Sequence, residues 1–348
     1  AARRADEAEP TACRSPVGGY AWQYELAGHW HDFGLEANEE AQQGYLKYLR
    51  EGGDAVIQVI SGATSRSIDL RSMIQTNALT GRTRAVRVLL HTPASWSNDC
   101  LMVERRLRSP WGMTYADLDK PMVDEIRQLL RLTAHQSLVA GLGSTCCSMA
   151  QVNVVRVRRV EHLHLWYAYS QKLRELEGHS ATTHESRGFA SLPDSTTSKD
   201  VLLSLPQSLG REELSVKANE VWAFHGTGRD VGEKVQQDGF DFRESKSRCL
   251  YGMGCYFATQ SCKSHAYTRD DDNDDKLRVM ILARVALGRP HVTDKVLRNI
   301  RKPPDGCDSV VANPGPMLGG QNGQQYHQEL IVFDRAQAYP SFFIFYTA

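Results

Sequence analysis

The apolar residues of this chain occur in short runs, and none approaches the roughly 18 residues that are needed to cross a lipid bilayer. The longest runs, such as residues 279–283, have the length of a β-strand. Since single hydrophobic cores usually stop growing at about 100 to 200 residues, a chain of 348 residues predicts two domains. We therefore expect two domains, no membrane-spanning segment and no membrane partner.

The charges of the chain balance, because 41 basic residues are matched by 41 acidic residues. A neutral protein has no global attraction to nucleic acid, so we expect no nucleic acid partner. The eight cysteines show no Cys-x-x-Cys spacing, which indicates reduced thiols in an intracellular protein and no metal site. The composition does not distinguish the nucleus from the cytoplasm.

Residues 1–15 are small and charged and predict a disordered lead, whereas residues 16–92 predict a small α+β domain. Trp22 and Trp30 bracket an alternating stretch, which indicates a β-hairpin that closes near Gly28. Asn38 stands at a helix N-cap position ahead of an amphipathic segment, and a β-rich stretch follows. The pattern predicts one helix packed on a small curved sheet.

Two segments of this region resemble the WWE domain family. The first is Trp-Gln-Tyr-Glu-Leu-Ala-Gly-His-Trp at residues 22–30, and the second is a Met-x-Gln-x-Asn then Gly-x-x-Arg pattern within residues 68–88. The resemblance implies a pocket for ADP-ribose or poly(ADP-ribose), in which a guanidinium grips pyrophosphate and an aromatic face stacks on adenine. The alternative is that the tryptophans only pack in the core and that the arginines only lie on a solvated strand edge. The implied ligand contacts are Tyr24, Trp30, Gln75 and Arg84.

Residues 93–115 contain Pro93, Ser95 and Pro110 and predict a linker, and a second domain is expected over residues 116–348. Within that domain, residues 121–132 predict a helix that begins with proline and carries one apolar face. Residues 152–160 predict a strand that runs directly into a helix. We expect these elements to pack the core rather than to carry chemistry.

Three separated segments of the second domain combine a short apolar strand with polar residues. They are residues 221–228 with His-Gly-Thr-Gly, residues 251–267 with Cys-Tyr-Phe-Ala, and residues 325–340 with Glu-Leu-Ile-Val-Phe-Asp. Each segment alone is modest evidence, but their order and spacing resemble the His-Tyr-Glu layout of poly(ADP-ribose) polymerases, tankyrases being especially similar. The resemblance implies an α+β catalytic domain of two packed β-sheets with flanking helices, preceded by the small α+β WWE-like domain.

The resemblance further implies that the second domain takes NAD⁺ as its substrate and needs no metal. By position, His225 would hydrogen-bond the adenosine ribose, and Gly226 would pair with the nicotinamide carboxamide through its backbone. Thr227 would contact the same ribose. Ser264 would bind the carboxamide oxygen, and Tyr267 would stack on the nicotinamide ring.

The catalytic set that the resemblance implies is His225, Tyr256 and Glu329. Tyr256 would close the other side of the nicotinamide pocket. Cleavage of an N-glycosidic bond passes through an oxocarbenium-like state, which a nearby carboxylate stabilises. Glu329 would hold the ribose 2′-hydroxyl, offset that charge and orient the acceptor. Glutamate at this position permits elongation to poly(ADP-ribose) and does not prove it.

The sequence therefore resembles an NAD⁺-dependent ADP-ribosyltransferase that modifies protein side chains and releases nicotinamide. The expected partners are acceptor proteins, including the chain itself, and ADP-ribose or poly(ADP-ribose) at the WWE-like domain. The alternative function is a non-catalytic reader of poly(ADP-ribose), in which the second domain is a scaffold. A third hypothesis, ADP-ribosylation of nucleic acid ends, is disfavoured by the neutral charge.

Overall fold

The computed structural model describes residues 19–51, 53–61, 64–91, 93, 96, 113–134, 149–180, 202, 214–242, 249–269, 276–312 and 327–348. The chain divides into two compact units, one of residues 1–92 with 107–110 and one of residues 93–106 with 111–348. No helix of the described residues is long and apolar enough to cross a membrane. The predicted lead at residues 1–15 lies outside the described residues.

The N-terminal unit is a small sheet with one long helix. Its strands are β1 (Gly19–Leu26), β2 (His29–Asp32), β3 (Val56–Ser61), β4 (Thr64–Asp69), β5 (Ile74–Asn77) and β6 (Thr83–His91), and its helix is α1 (Leu35–Glu51). The strands form an antiparallel sheet in the order β2-β1-β6-β5-β4-β3. The turn between β1 and β2 has positive φ at Ala27 and Gly28, and the predicted hairpin is confirmed.

Aromatic side chains fill the space between α1 and the sheet. Trp22 is fully buried, and its ring centroid lies 6.2 Å from that of Phe33 and 5.4 Å from that of Tyr45. Helix α1 begins at Leu35, so the prediction that Asn38 is its N-cap is wrong. The Asn38 side-chain oxygen instead accepts a hydrogen bond from the backbone N–H of Trp22 at 2.8 Å. This contact, which connects α1 to β1, cannot be read from local sequence.

The C-terminal unit combines nine strands with four helices among its described residues. The strands are β7 (Met113–Asp117), β8 (Asn153–His162), β9 (Glu220–Thr227), β10 (Cys255–Ala258), β11 (Arg278–Ala286), β12 (Pro290–Thr293), β13 (Ser309–Ala312), β14 (Glu329–Val332) and β15 (Ala338–Thr347). The helices are α2 (Lys120–Leu132), α3 (Leu163–Ser180), α4 (Arg229–Asp238) and α5 (Ser261–His265), with 3-10 turns at Met149–Gln151 and Arg335–Gln337. The predicted α+β class is confirmed.

The nine strands are hydrogen-bonded in the order β12-β13-β14-β10-β9-β11-β15-β8-β7. Strands β12 and β13 are parallel, and the other neighbours are antiparallel. Strands β9 and β10 are paired at one position, Phe224 with Ala258. The nine strands therefore form one hydrogen-bonded series, whereas two packed sheets were expected from the sequence. A four-stranded part and a five-stranded part meet at this single pair, beside His225.

Strands β9 and β11 are buried on both faces, which explains their nearly continuous apolar sequence. In β9, Trp222 and Phe224 belong to one core, whereas Val221 and Ala223 belong to the other. Helix α2 covers the first core, and its N-cap residue Asp119 accepts a hydrogen bond from the Met122 N–H. The apolar face predicted for this helix is confirmed, with buried residues Val123, Ile126, Leu129 and Leu130.

The predicted boundary at residue 116 falls inside a strand. β7 begins at Met113 and pairs with β8 along its length, so residues 113–115 belong to the sheet and not to a linker. Trp96 is also buried, with its ring centroid 5.9 Å from that of Trp166. Prolines and serines suggested a loop, but local composition reveals neither the pairing with β8 nor the burial of Trp96. Residues 97–112 lie outside the described residues.

Candidate functional site

Helix α5 lies against the end of β9. A Cβ on Gly226 would lie 1.8 Å from the Ser264 carbonyl oxygen, and real Cβ contacts essentially never fall below 3.0 Å. Only glycine therefore fits at this position. The backbone of α5 therefore requires the glycine that was predicted to pair with the carboxamide. The contact fixes Ser264 beside the His-Gly-Thr segment.

The His225 side chain bridges the opening between β9 and β10. Its Nδ1 donates a hydrogen bond to the Tyr256 carbonyl oxygen at 2.8 Å, since a carbonyl can only accept. Burial lowers the pKa of His225, and the hydrogen bond to Tyr256 offsets part of that change. The neutral ring carries its proton on Nδ1, so Nε2 is an acceptor. An acceptor nitrogen suits a hydroxyl donor such as that of a ribose.

The Tyr256 side chain holds the loop that precedes β10. Its hydroxyl donates to the Gly252 carbonyl at 2.8 Å and accepts from the Tyr251 N–H at 2.9 Å. Burial is the main cause that raises the pKa of this hydroxyl, and the charge of Glu329 raises it further. Tyr256 and Glu329 lie two positions apart along the β10–β14 pair, since Tyr256 is opposite Ile331 and Glu329 is opposite Ala258.

Glu329 is the first residue of β14 and lies opposite Ala258 of β10. The Lys263 Nζ lies 3.1 Å from the Glu329 carboxylate, and the two side chains are 20% and 12% exposed. Burial lowers the pKa of Lys263, but the charges of Glu329 and Tyr267 and their hydrogen bonds outweigh it, so this pKa is raised overall. Sequence reasoning missed Lys263, whose only local signal is its helical spacing of four residues from Tyr267.

The remaining predicted residues lie around the same helix. Ser264 is buried, whereas Tyr267 is 58% exposed and its hydroxyl accepts a hydrogen bond from Lys263 Nζ at 3.2 Å. Thr227 ends β9, is buried, and pairs with Val279 of β11. An exposed aromatic ring beside a buried hydroxyl can stack on a planar group while the hydroxyl bonds its polar edge. Around α5 the fold gathers His225, Gly226, Tyr256, Ser264, Tyr267 and Glu329.

Two buried side chains next in sequence to β10 and β14 carry polar atoms that have no hydrogen-bond partner among the described residues. They are the amide of Gln328 and the hydroxyl of Thr259, which are 4% and 0% exposed. Buried polar groups are nearly always hydrogen-bonded, so these atoms fit a site where a polar ligand completes the bonding. Sequence reasoning missed both, since neither residue type is diagnostic. Within the described ranges, no group of His, Cys, Asp and Glu side chains could hold a metal ion.

Three of the predicted ADP-ribose contacts form one cluster in the N-terminal unit. Arg84 of β6 lies opposite Gln75 of β5, and Arg84 Nε donates to Gln75 Oε1 at 2.7 Å. The Arg84 guanidinium carbon lies 3.4 Å from the centre of the Tyr24 ring. Burial lowers the pKa of Arg84 to about 10, and repulsion from Arg66 contributes to that change. Arg84 is therefore still charged at neutral pH.

Arg66 brings a second guanidinium to this cluster, and sequence reasoning missed it. Its Nε is buried and has no hydrogen-bond partner in the described part of the chain. The alternation of β4 places Arg66 on the same face as the buried Ile68, which is the signal that could have found it. Two neighbouring positive charges repel each other and together attract an anion.

Trp30 lies on the opposite face of the sheet from Tyr24. Tyr24 is paired with His31 across the hairpin, whereas Trp30 is paired with Glu25. Consecutive residues of a strand point to opposite faces. The guanidinium carbon of Arg87 lies 4.2 Å from the Trp30 ring centre. The predicted wall of Tyr24 and Trp30 is therefore not formed, and the ring stacked beside Tyr24 is His31, with centroids 5.6 Å apart.

Comparison with known proteins gives two family matches. The model of the poly(ADP-ribose) polymerase catalytic domain matches residues 135–348, and the model of the WWE domain matches residues 20–88. The chain is also similar to the protein mono-ADP-ribosyltransferase PARP12 of Homo sapiens, with 22% identity over 352 residues. That similarity covers 94% of this chain and 42% of the human protein, so the chain spans about two fifths of that relative's length.

Proposed function

The chain belongs to the poly(ADP-ribose) polymerase family and carries a WWE domain ahead of the catalytic domain, and on that premise we propose that it is an NAD⁺-dependent ADP-ribosyltransferase. The observation that supports this most is the meeting of His225, Tyr256 and Glu329 on the neighbouring strands β9, β10 and β14. Their segments are distant in sequence, and the short helix α5 contacts β9 and β14 together.

The groups around α5 have the chemistry that NAD⁺ requires. The acceptor Nε2 of His225 would take a hydrogen bond from the adenosine ribose, and Thr227 is proposed beside it. The Gly226 backbone and the Ser264 hydroxyl would hold the nicotinamide carboxamide, with Tyr267 stacked on the ring and Tyr256 on its other side. Base stacking on an aromatic side chain is typically worth ~1–3 kcal/mol.

When bound, NAD⁺ would supply an N-glycosidic bond whose cleavage releases nicotinamide and leaves positive charge on the ribose. The Glu329 carboxylate is proposed to offset that charge and to hold the ribose 2′-hydroxyl. Lys263, 3.1 Å away, fixes the orientation of the carboxylate before the substrate arrives. A group held in this way needs little reorganisation during the reaction, which is the source of its catalytic effect.

The length of the product is a separate question. Glutamate at position 329 permits elongation to poly(ADP-ribose), whereas the similar human protein is named a mono-ADP-ribosyltransferase. We propose transfer of a first ADP-ribose unit to protein side chains, the chain itself included, with elongation as the extension of the same chemistry. Electrophoresis of the automodified protein separates the two, since polymer gives a ladder and single units give one sharp band.

For the WWE domain we propose binding of ADP-ribose or poly(ADP-ribose). The supporting observation is the cluster of Tyr24, Gln75 and Arg84, to which Arg66 adds a second charge. This ligand would also be bound by a non-catalytic reader, which is the competing function. Nicotinamide release distinguishes the two functions, because a reader binds the polymer and releases none.

The test is incubation of the purified chain with NAD⁺ labelled in the adenine, with free nicotinamide measured in parallel. The proposal expects nicotinamide release together with label on protein that protease removes and nuclease does not. Label that nuclease removes would indicate nucleic acid as the acceptor. Binding of poly(ADP-ribose) without nicotinamide release would overturn the enzymatic proposal and leave the reader.

A further inference from the structure

A cavity lies in the C-terminal unit, between one face of α4 and the strands β8, β11 and β15. Its volume is about 140 Å³. Helix α4 contributes Arg229, Gly232, Glu233 and Gln236, and this spacing places the four residues on one side of the helix. The opposite wall is formed by arginines of β8 and by apolar side chains of β11 and β15.

The lining of this cavity differs from that of the site described above, although Gly232 of the lining lies beside Thr227. The candidate reaction residues come from β14, β10 and β9, whereas the cavity is lined by the next three strands of the order, β11, β15 and β8. None of the residues that line it belongs to the predicted catalytic or NAD⁺-contacting set. Its properties therefore have to be explained independently of the proposed reaction.

The lining of the cavity is positively charged. Arg156, Arg158 and Arg229 contribute three positive charges, and Glu233 is the one acidic residue of the lining. Asp117 lies 3.1 Å from Arg158 Nε and balances part of its charge. The lining alone holds three arginines and one carboxylate, and Arg156 is the arginine whose Nε has no hydrogen-bond partner among the described residues. A concave surface with excess positive charge concentrates anions.

Arg156 is supported by an aromatic ring while its Nε donor has no partner among the described residues. Its guanidinium carbon lies 4.3 Å from the centre of the Phe345 ring, so the plane is supported from one side. The Arg156 Nε is buried and has no hydrogen-bond partner among the described residues. The side-chain Nε2 of Gln236, across the cavity, is a second buried donor of the same kind. Buried donors without acceptors are rare in folded proteins, since each costs free energy.

We propose that this cavity binds a phosphate group, with Arg156 and Arg158 of β8 as the principal donors and Gln236 of α4 as an additional donor. Several guanidinium groups on one small cavity suit a tetrahedral oxyanion with many acceptor lone pairs better than a single carboxylate. The volume is below the roughly 300–1,000 Å³ of pockets that enclose whole cofactors, which favours one phosphoryl group over a dinucleotide.

Gly232 supports this assignment. A Cβ at Gly232 would meet side-chain atoms of Val279, Thr227 and Phe343 at 3.5 to 3.7 Å, which is ordinary contact distance. Alanine would therefore fit, although glycine inside a helix costs roughly 0.5–1 kcal/mol relative to alanine. The missing side chain leaves space in the cavity, which Gly232 lines beside Val279 and Phe343.

The experiment titrates the full chain with inorganic phosphate at constant ionic strength and measures binding by the ³¹P linewidth. Arg84→Gln is introduced throughout to remove the basic cluster of the WWE domain. Saturable binding is expected, with a dissociation constant at least tenfold weaker in Arg156→Gln. The matched control is Arg301→Gln, an exposed arginine of the same unit outside the cavity, which should bind as the parent does.

Arg158→Gln provides a second test if Arg156→Gln does not fold, because it removes one guanidinium and leaves Phe345 covered. It should also weaken phosphate binding at least tenfold. Parent protein that binds no phosphate, or binding of equal strength in the folded Arg156→Gln or Arg158→Gln protein, would overturn the proposal. Since the readout needs no NAD⁺, a chain without transferase activity could still pass this test.

Discussion

The Lys263 ammonium group lies 3.1 Å from the Glu329 carboxylate and connects helix α5 to strand β14. Both side chains are largely buried, so neither charge is well solvated, and each depends on the other. Because the carbonyl of Ser264, the next residue, presses on Gly226 of β9, the same short helix also fixes the His225 segment. The arrangement of the site thus depends on five residues of α5.

Lys263→Met should lower nicotinamide release by about tenfold or more. The substitution leaves the Glu329 carboxylate without its buried cation, and breaking one partner of such a pair is strongly unfavourable. The expected loss lies mainly in kcat, since the carboxylate acts on the reacting sugar. Steady-state kinetics of nicotinamide release measure it. Lys302→Met, which breaks an exposed ion pair with Asp305, is the control and should keep the rate.

Gly226→Ala should destabilise the C-terminal unit by ~1–3 kcal/mol and abolish NAD⁺ use. The added methyl group would lie 1.8 Å from the Ser264 carbonyl oxygen, so α5 or β9 must shift. Gly232→Ala is the matched control, because its methyl group has room in α4 and alanine favours a helix. Thermal unfolding of both variants distinguishes them. Equal melting temperatures would mean that the contact of Gly226 with Ser264 is not formed.

Arg84→Gln should weaken binding of ADP-ribose polymer by tenfold or more, whereas Arg87→Gln should change it by less than about threefold. Both arginines lie on β6 and cover an aromatic ring, but they point to opposite faces of the sheet. A charged hydrogen bond is worth about 1.5–3 kcal/mol. Fluorescence polarisation with labelled polymer gives the two affinities. If Arg87→Gln weakened polymer binding more than Arg84→Gln, the ligand would lie on the face of the sheet that carries Trp30.

The elements that the sequence predicted well are those that local pattern determines. The hairpin around Gly28, the helix at residues 120–132 and the strand-to-helix transition at His162 all follow from alternation, capping and apolar spacing. The three functional segments were also visible, because each combines a short strand with an unusual polar cluster. That the three segments meet at one site was implied by family resemblance and not by the sequence pattern itself.

Contacts between distant residues account for what the sequence did not reveal. Asn38 lies inside α1, where its side chain bonds to Trp22 of β1. Trp30 lies on the opposite face from Tyr24 because strand register decides which side a residue takes. Lys263 and Arg66 matter through the partners that packing brings beside them. Such partners depend on the assembled fold, so composition and spacing cannot supply them.

His162 should make the C-terminal unit sensitive to acid. Its Nε2 donates to the Gln237 carbonyl and its Nδ1 accepts from the Leu165 N–H, and burial lowers its pKa from 6.5 to about 4. Between pH 6.5 and about 4, His162 binds a proton in the unfolded chain and stays neutral in the folded chain. The stability that the folded chain gains from neutral His162 is therefore complete above pH 6.5 and is lost as the pH falls to about 4.

Urea unfolding from pH 7 to pH 4 measures this effect. The unfolding free energy of the wild type should fall by up to ~1.4 kcal/mol per pH unit more steeply than that of His162→Gln. The two curves should therefore approach each other as the solution becomes more acidic. Parallel curves would show that His162 does not titrate differently in the folded and unfolded chains.

His225, Tyr256 and Glu329 are proposed to form one NAD⁺ site in which the carboxylate acts mainly on the reacting sugar and adds little to NAD⁺ affinity. The most direct test of this proposal is to measure, for Glu329→Gln, both the affinity for NAD⁺ and the rate of nicotinamide release, with Glu175→Gln as the ion-paired control. NAD⁺ affinity within about threefold of wild type and a rate ~10²–10³ lower are expected for Glu329→Gln. An undiminished rate in Glu329→Gln would contradict the proposal.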